Sequence, residues 1–184
     1  IYNSSCQFPT SNLTISVNLS SKQLSQPSLA EEIKEILQET NCLPNSLKLE
    51  ITETLIMENV SLATQMLNKL KNQNIKLSID DFGTGYSSLS YLHQFPINTL
   101  KIDRSFVSRL DSDTNGQPLK IVSSIIALAH NLGLEVIAEG IETLEQMQQL
   151  EQFKCDKGQG YWFSKPLESH HATELLRNFQ YKVE

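Results

Sequence analysis

Three short runs of this chain alternate in the same way. Leu47-Lys48-Leu49-Glu50-Ile51 puts its apolar residues on one face of an extended strand and Lys48 and Glu50 on the other. The run Ile75–Asp80 sets Ile75, Leu77 and Ile79 against Lys76, Ser78 and Asp80. Thr14–Asn18 sets Ile15 and Val17 against Thr14, Ser16 and Asn18. Successive side chains of a strand point to opposite faces, so each run has one apolar and one polar face. An open parallel sheet covered by helices on both sides reads as apolar on both faces. These strands instead ask for helices on one side only, with the polar faces turned towards one another.

The rest of the chain fits that demand. Strands are expected near Leu13–Leu19, Leu47–Ile51, Ile75–Asp80, Thr99–Ile102, Leu134–Ala138 and Gln159–Phe163. Helical spacing lies between them, in Leu29, Ile33, Ile36 and Leu37, in Ala63, Met66, Leu67 and Leu70, and in Val122, Ile125, Ile126 and Ala129. A last helix carries Ala172, Leu175, Leu176 and Phe179. Ser28 with Glu31 and Thr143 with Gln146 read as capping boxes. Pro118 and Gly133 bracket the third helical run. Strands alternating with helices form a parallel sheet. The predicted fold is therefore α/β, a (β/α)8 TIM-type barrel, here incomplete with about six strand–helix units. Such barrels take about 250 residues and this chain has 184. It begins on Ile1 close before a strand, so about two units are expected upstream. No linker divides residues 1–184, which read as one domain. The polar stretch Asp111–Gln117 is the one loop expected to be a flexible insertion.

Composition excludes several classes. A net charge of −6 speaks against a broad DNA-binding or anionic-membrane surface. No apolar run reaches transmembrane length, and no signal-peptide pattern opens the chain. Cys6, Cys42 and Cys155 are far apart and odd in number, which fits reduced thiols in a cytoplasmic protein.

In a (β/α) barrel the C-terminal ends of the strands converge on the active-site mouth. Here those ends carry Asn18, Glu50, Asp80 with Asp81, Lys101, Glu139 and Gln159. Oxygen ligands of this kind suit Mg²⁺ or Mn²⁺. No His or Cys set matches a zinc site; His93, His130, His170 and His171 read as surface or packing residues. Two adjacent carboxylates need a cation, and the spacing suggests two metals, bridged by Asp80 with Asp81 beside it. Paired metals suit in-line attack at phosphorus. Lys101 shares the parity of the mouth residues and reads as a buried ammonium that orients the attacking hydroxide; a salt bridge to Asp103 or a solvated surface position is its structural alternative. Glu53 reads either as a brace for the Gly83–Gly85 loop or as an acid at a helix N-terminus.

These residues lie in six ordered strings: Val17-Asn18-Leu19-Ser20, Leu49-Glu50-Ile51-Thr52-Glu53, Asp80-Asp81-Phe82-Gly83-Thr84-Gly85-Tyr86-Ser87-Ser88-Leu89, Leu100-Lys101-Ile102-Asp103, Ala138-Glu139-Gly140-Ile141-Glu142 and Gly158-Gln159-Gly160-Tyr161-Trp162-Phe163-Ser164-Lys165-Pro166. Together they closely resemble the EAL-domain family of bacterial cyclic di-GMP phosphodiesterases, from about Leu13 to Leu176. The Asp81-Phe82-Gly83 string also occurs in protein kinases, but the remaining kinase motifs are absent.

The resemblance implies hydrolysis of cyclic di-GMP to pGpG in second-messenger signal transduction, with two Mg²⁺ or Mn²⁺ ions per site. It implies metal ligation by Asn18, Glu50, Asp80, Asp81 and Glu139. Catalytic roles fall to Lys101, Glu139, Gln159 and Glu53, and a supporting role to Glu142. Substrate binding falls to Asn18, Asp81, Phe82, Gly83, Tyr161, Ser164 and Pro166, the last three beside a guanine pocket. The Asp81–Tyr86 loop is linked in the family to substrate binding and to dimer formation. Expected partners are cyclic di-GMP, a second copy in a homodimer, and upstream sensory or GGDEF-type domains. The Glu-Ala-Leu string that names the family is absent from this sequence. Its glutamate is a metal ligand and the neighbouring arginine a substrate contact, so the resemblance implies a domain cut short at its N-terminus. The alternatives are a non-catalytic module that binds cyclic di-GMP or a protein partner, and an inactive fragment.

Overall fold

The computed structural model describes residues 13–85, 89–111 and 116–179. Cys6, Tyr86 and most of the expected loop at Asp111–Gln117 lie outside the described residues.

Six strands run β1 (Ile15–Asn18), β2 (Leu47–Thr52), β3 (Lys76–Phe82), β4 (Thr99–Ile102), β5 (Glu135–Glu139) and β6 (Lys157–Gln159). They form one sheet in the order β1-β2-β3-β4-β5-β6, every neighbouring pair parallel. This unbroken order with helices between the strands makes a curled half-barrel. The strand order of a doubly wound sheet would reverse at a switch point.

Helices follow the strands: α1 (Ser21–Leu24), α2 (Leu29–Glu39), α3 (Glu53–Glu58), α4 (Val60–Asn72), α5 (Leu89–Leu92), α6 (Arg104–Val107), α7 (Gln117–Asn131), α8 (Leu144–Gln152) and α9 (Ser169–Phe179). The outward strand residues Leu49, Ile51, Leu77, Ile79, Leu100, Ile102, Val136 and Ala138 are buried. They belong to one core with Ala63, Met66, Leu67 and Leu70 of α4 and Val122, Ile126 and Ala129 of α7. Each large aliphatic side chain so covered contributes about 1.5–3 kcal/mol, which fixes the outward face of β2, β3, β4 and β5. The inward faces are then held to Lys48, Glu50, Ser78, Thr99 and Lys101, which are polar and yet buried.

Three local expectations give way. Ser28 does not cap α2 through a capping box: its backbone is already helical (φ −83°, ψ −7°), and its hydroxyl donates to Glu32 Oε1 at 2.6 Å instead. Thr143, in the extended region, does form a capping box with Gln146, and Ser20 forms another with Gln23. The last strand lies at Lys157–Gln159, before the expected Gln159–Phe163, because the chain turns at Gly160. A Cβ there would collide with the Ile141 backbone, and the turn is held by Trp162 N–H donating to Ile141 O at 2.9 Å. In β1 the side chains of Ile15 and Val17 are 54% and 41% exposed, because this edge strand pairs only with β2 among the described residues.

Candidate active site

The strand ends converge as barrel geometry requires. Lys101, near the end of β4, is 3% exposed. Its Nζ lies 2.6 Å from Glu50 Oε2 on β2, 3.1 Å from Asp80 Oδ1 on β3 and 2.5 Å from Glu139 Oε1 on β5. One ammonium is thus shared by carboxylates from three strands. Asp103, the alternative partner for Lys101, instead caps α6 by accepting from Ser105 N–H at 2.9 Å.

The Asp80-Asp81 pair poses a geometric problem that parity cannot solve, since neighbours on a regular strand face opposite ways. The backbone solves it with an irregularity. The register between β3 and β4 slips between Ile79 and Phe82, and Asp81 takes φ +54°, a left-handed conformation that aspartate tolerates better than most residues. Asp81 N–H then donates to its neighbour's Oδ1 at 3.1 Å. As a result, oxygens of Asp80, Asp81 and Glu139 all lie within 4.8 Å of one another. The Phe82 ring returns to the core, 4% exposed, so its side chain is not offered to the mouth as a substrate-binding group.

The turn that follows is anchored from β2. Glu53, 6% exposed, opens α3, and its Oε2 accepts from Gly83 N–H at 3.0 Å. Gly83 has φ +94°, and a Cβ on it would stand 2.9 Å from the Phe106 ring. Thr84 closes the turn by donating its hydroxyl to Asp81 O at 2.8 Å.

The other expected residues are at the rim. Asn18 pairs in register with Glu50, and Gln159 with Glu139, so both stand beside the carboxylates. Both are exposed, as are Tyr161 and Pro166, while Ser164 is half-buried. Lys165 Nζ lies 5.8 Å from the centre of the Tyr161 ring. Glu142 pairs with Arg104 Nη2 at 2.9 Å. Of the described histidines, His130 bonds Asp156 at 2.9 Å, and the His170 and His171 ring centres lie 3.8 Å apart with their planes tilted by 41°.

The electrostatics follow from this crowding. Burial raises Glu139 above the usual carboxylate range, and Asp80 and Glu50 push the same way against Lys101. Burial likewise raises Asp81, helped by Asp80 and Asp103. Burial would lower Lys101, but its bonds to Glu139 and Glu50 outweigh that and hold its ammonium above the usual lysine value. Four carboxylates and one ammonium leave a surplus of negative charge. Such an all-oxygen donor set fits a hard divalent cation.

A second ionic group beneath the mouth was not anticipated. Lys48, 5% exposed, lies 3.4 Å from Glu135 Oε2, and Lys157 Nζ lies 2.7 Å from Glu135 Oε1. Its signal was the parity of Lys48, which shares the inward face with Glu50.

A parallel half-barrel with carboxylates from three strand ends around one lysine defines the class: a (β/α) barrel with an acidic, metal-competent mouth. The EAL domain model matches residues 3–166, and the chain belongs to that family. The chain is 39% identical over 169 residues to the cyclic di-GMP phosphodiesterase NbdA of Pseudomonas aeruginosa, covering 92% of this chain and 21% of that protein. It superposes on the EAL domain of Mycobacterium smegmatis DcpA with TM-score 0.85 at 38% identity, covering 91% of this chain and 74% of that one. On the MucR phosphodiesterase in complex with c-di-GMP the TM-score is 0.82 at 37% identity, covering 86% and 64%. The chain spans about a fifth to a quarter of the length of the first curated relatives it matches. No helix among the described residues is long and apolar enough to cross a membrane.

Proposed function

We propose that this chain supplies the catalytic mouth of a metal-dependent phosphodiesterase that opens cyclic di-GMP to linear pGpG. One observation carries the reading: Glu50, Asp80 and Glu139 gather on Lys101 from three strand ends in a member of the EAL family. Relatives named as cyclic di-GMP phosphodiesterases, and a neighbour solved with c-di-GMP, support the substrate.

In the reaction a water oxygen bonds to phosphorus, one P–O ester bond breaks, and the leaving alkoxide takes a proton. Asn18, Glu50, Asp80, Asp81 and Glu139 would hold Mg²⁺ or Mn²⁺, which when bound lowers the pKa of water and neutralises phosphate charge. Lys101 carries a fixed positive charge in a water-poor site, where it holds the carboxylates in place and donates towards the attacking oxygen. Glu139, raised above an ordinary carboxylate, is the better placed group to accept a proton at neutral pH. Glu53 keeps the Gly83 turn in place, and with it Asp81. Gln159 stands beside Glu139 to orient the water. Tyr161, Ser164 and Pro166 present an aromatic and polar rim that suits a guanine base. The unpaired thiols of Cys42 and Cys155 accord with a cytoplasmic setting.

The test is incubation of the full-length polypeptide with cyclic di-GMP and Mg²⁺ or Mn²⁺, with the products separated by chromatography. Linear pGpG is expected. Nucleotide binding without turnover under either metal would overturn the hydrolytic reading.

A further inference from the structure

Arg104 is the first residue of α6 and leaves β4 three positions after Lys101. Its side chain crosses to the exit of β5. Gly140, directly after Glu139, has φ +71°, and a Cβ on it would collide with the Arg104 stem, 2.7 Å from Arg104 Cβ and 2.9 Å from Cδ. The methylene stem therefore lies against the bare Cα of Gly140. Beyond it, Nη2 donates to Glu142 Oε1 at 2.9 Å. That ion pair is exposed, at 62% and 45%, so its charge contributes little. The packed stem is the larger part of the contact.

The far side of the same turn is already tied down. Ile141 N–H donates to Gln159 O at 3.1 Å. Glu142 N–H donates to Gln146 Oε1 at 2.8 Å. Thr143 Oγ1 donates to Asp111 Oδ2 at 2.9 Å. Arg104 closes the near side, at the one residue between Glu139 and these tethers. We infer that Arg104 is a positioning residue, clamping the turn after β5 and so fixing where the Glu139 carboxylate stands against Lys101 and Asp80. The inference rests on the hydrolytic reading of the mouth, and it assigns no contact with substrate. A displacement of about 1 Å in such a group costs roughly a hundredfold in rate.

The test compares Arg104→Ala, Arg104→Met, Gly140→Ala and the Arg104→Ala/Gly140→Ala double variant in the full-length protein. Two quantities are read: cyclic di-GMP turnover, and Mn²⁺ affinity by electron paramagnetic resonance without nucleotide. Arg104→Ala is expected to lower kcat and Mn²⁺ affinity by about tenfold or more, with little change in KM. Arg104→Met, which keeps the stem, recovers most of that loss. Gly140→Ala is as damaging in the wild type but costs less on the Arg104→Ala background, where the collisions with Cγ and Cδ are gone and only that with Cβ remains. Loss of melting temperature alone, with kcat and Mn²⁺ affinity unchanged, overturns the inference. So does an equal cost of Gly140→Ala in both backgrounds. If the wild type binds Mn²⁺ but turns nothing over, the hydrolytic reading fails, and the Mn²⁺ cycle still decides the clamp. Mn²⁺ binding by none of the forms overturns both.

Discussion

The inward face of the sheet carries two ionic layers, and they are built from the same residue types in opposite proportion. At the mouth one lysine, Lys101, is held by three carboxylates at 2.5–3.1 Å. On the floor one carboxylate, Glu135, sits between Lys48 at 3.4 Å and Lys157 at 2.7 Å. The consequences have opposite signs. In the mouth Lys101 is raised and Glu139 and Asp81 are raised. On the floor burial lowers Lys48, which Glu135 only partly offsets, and the two lysines hold Glu135 below its usual value despite burial. A buried lysine is therefore not the mark of a site. The mark is an anionic surplus that the protein leaves for a cation to balance.

The sharpest break of this contrast is at Asp80, which touches Lys101 and stands within the same 4.8 Å group as Asp81 and Glu139. Asp80→Asn keeps the shape and removes the charge of the candidate bridging ligand. Loss of groups that only support a ligand costs about 10–100-fold, so loss of the ligand itself is expected to exceed a hundredfold in cyclic di-GMP turnover. Near-normal kcat would mean that the mouth's surplus charge is not what the reaction uses.

Next comes Lys101→Met. Removing one partner of a buried ionic group costs about 3–5 kcal/mol, and here it leaves three carboxylates facing one another. A fall in metal-free melting temperature is expected at pH 7, with turnover lost. The pH response separates the layers. Glu139 and Asp81 have raised values, so the stability they contribute is full below the ordinary carboxylate range and lost as pH rises through their folded values. Glu135 is depressed, so its contribution is present above that range and lost as pH falls through its folded value. Mild acidification from pH 7 should thus restore part of the Lys101→Met loss, measured as melting temperature in chelator. Further acid should then destabilise both proteins. A monotonic fall in both from pH 7 downwards would remove the mouth's repulsion from the account.

The sequence made much of this readable, because strand parity survives folding. The inward placement of Glu50, Asp80 and Lys101 follows from the burial of Leu49, Ile51, Leu77, Ile79, Leu100 and Ile102 on the opposite face. What parity could not supply is where the backbone departs from a regular strand. The slip after Ile79 and the left-handed Asp81 bring two adjacent carboxylates to one side and send Phe82 to the core on the other face. Gly160 ends β6 early for a tertiary reason, its approach to Ile141. Lys48 had the parity of an interior residue, yet its partner Glu135 lies 87 residues away across three strand pairings. Such pairs depend on the curl of the sheet, which no local pattern states.

The smallest expected effect is the one that tests the contrast most directly. Lys48 is as deeply placed as Lys101, at 5% against 3% exposure, so a reading based on burial alone would give the two equal weight. Their surroundings say otherwise. The Lys48 contact with Glu135 is long, and Glu135 keeps Lys157 at 2.7 Å when Lys48 is removed. Methionine matches the lysine stem in length and ends the cost of burying an ammonium, while Glu135, 34% exposed and still paired with Lys157, is not left as an uncompensated buried charge. Lys48→Met is therefore expected to leave turnover within about twofold and stability unchanged or slightly improved, measured by cyclic di-GMP hydrolysis and thermal melting. If it abolishes turnover as Lys101→Met does, the floor belongs to the site, and the division between a reactive layer and a structural one falls.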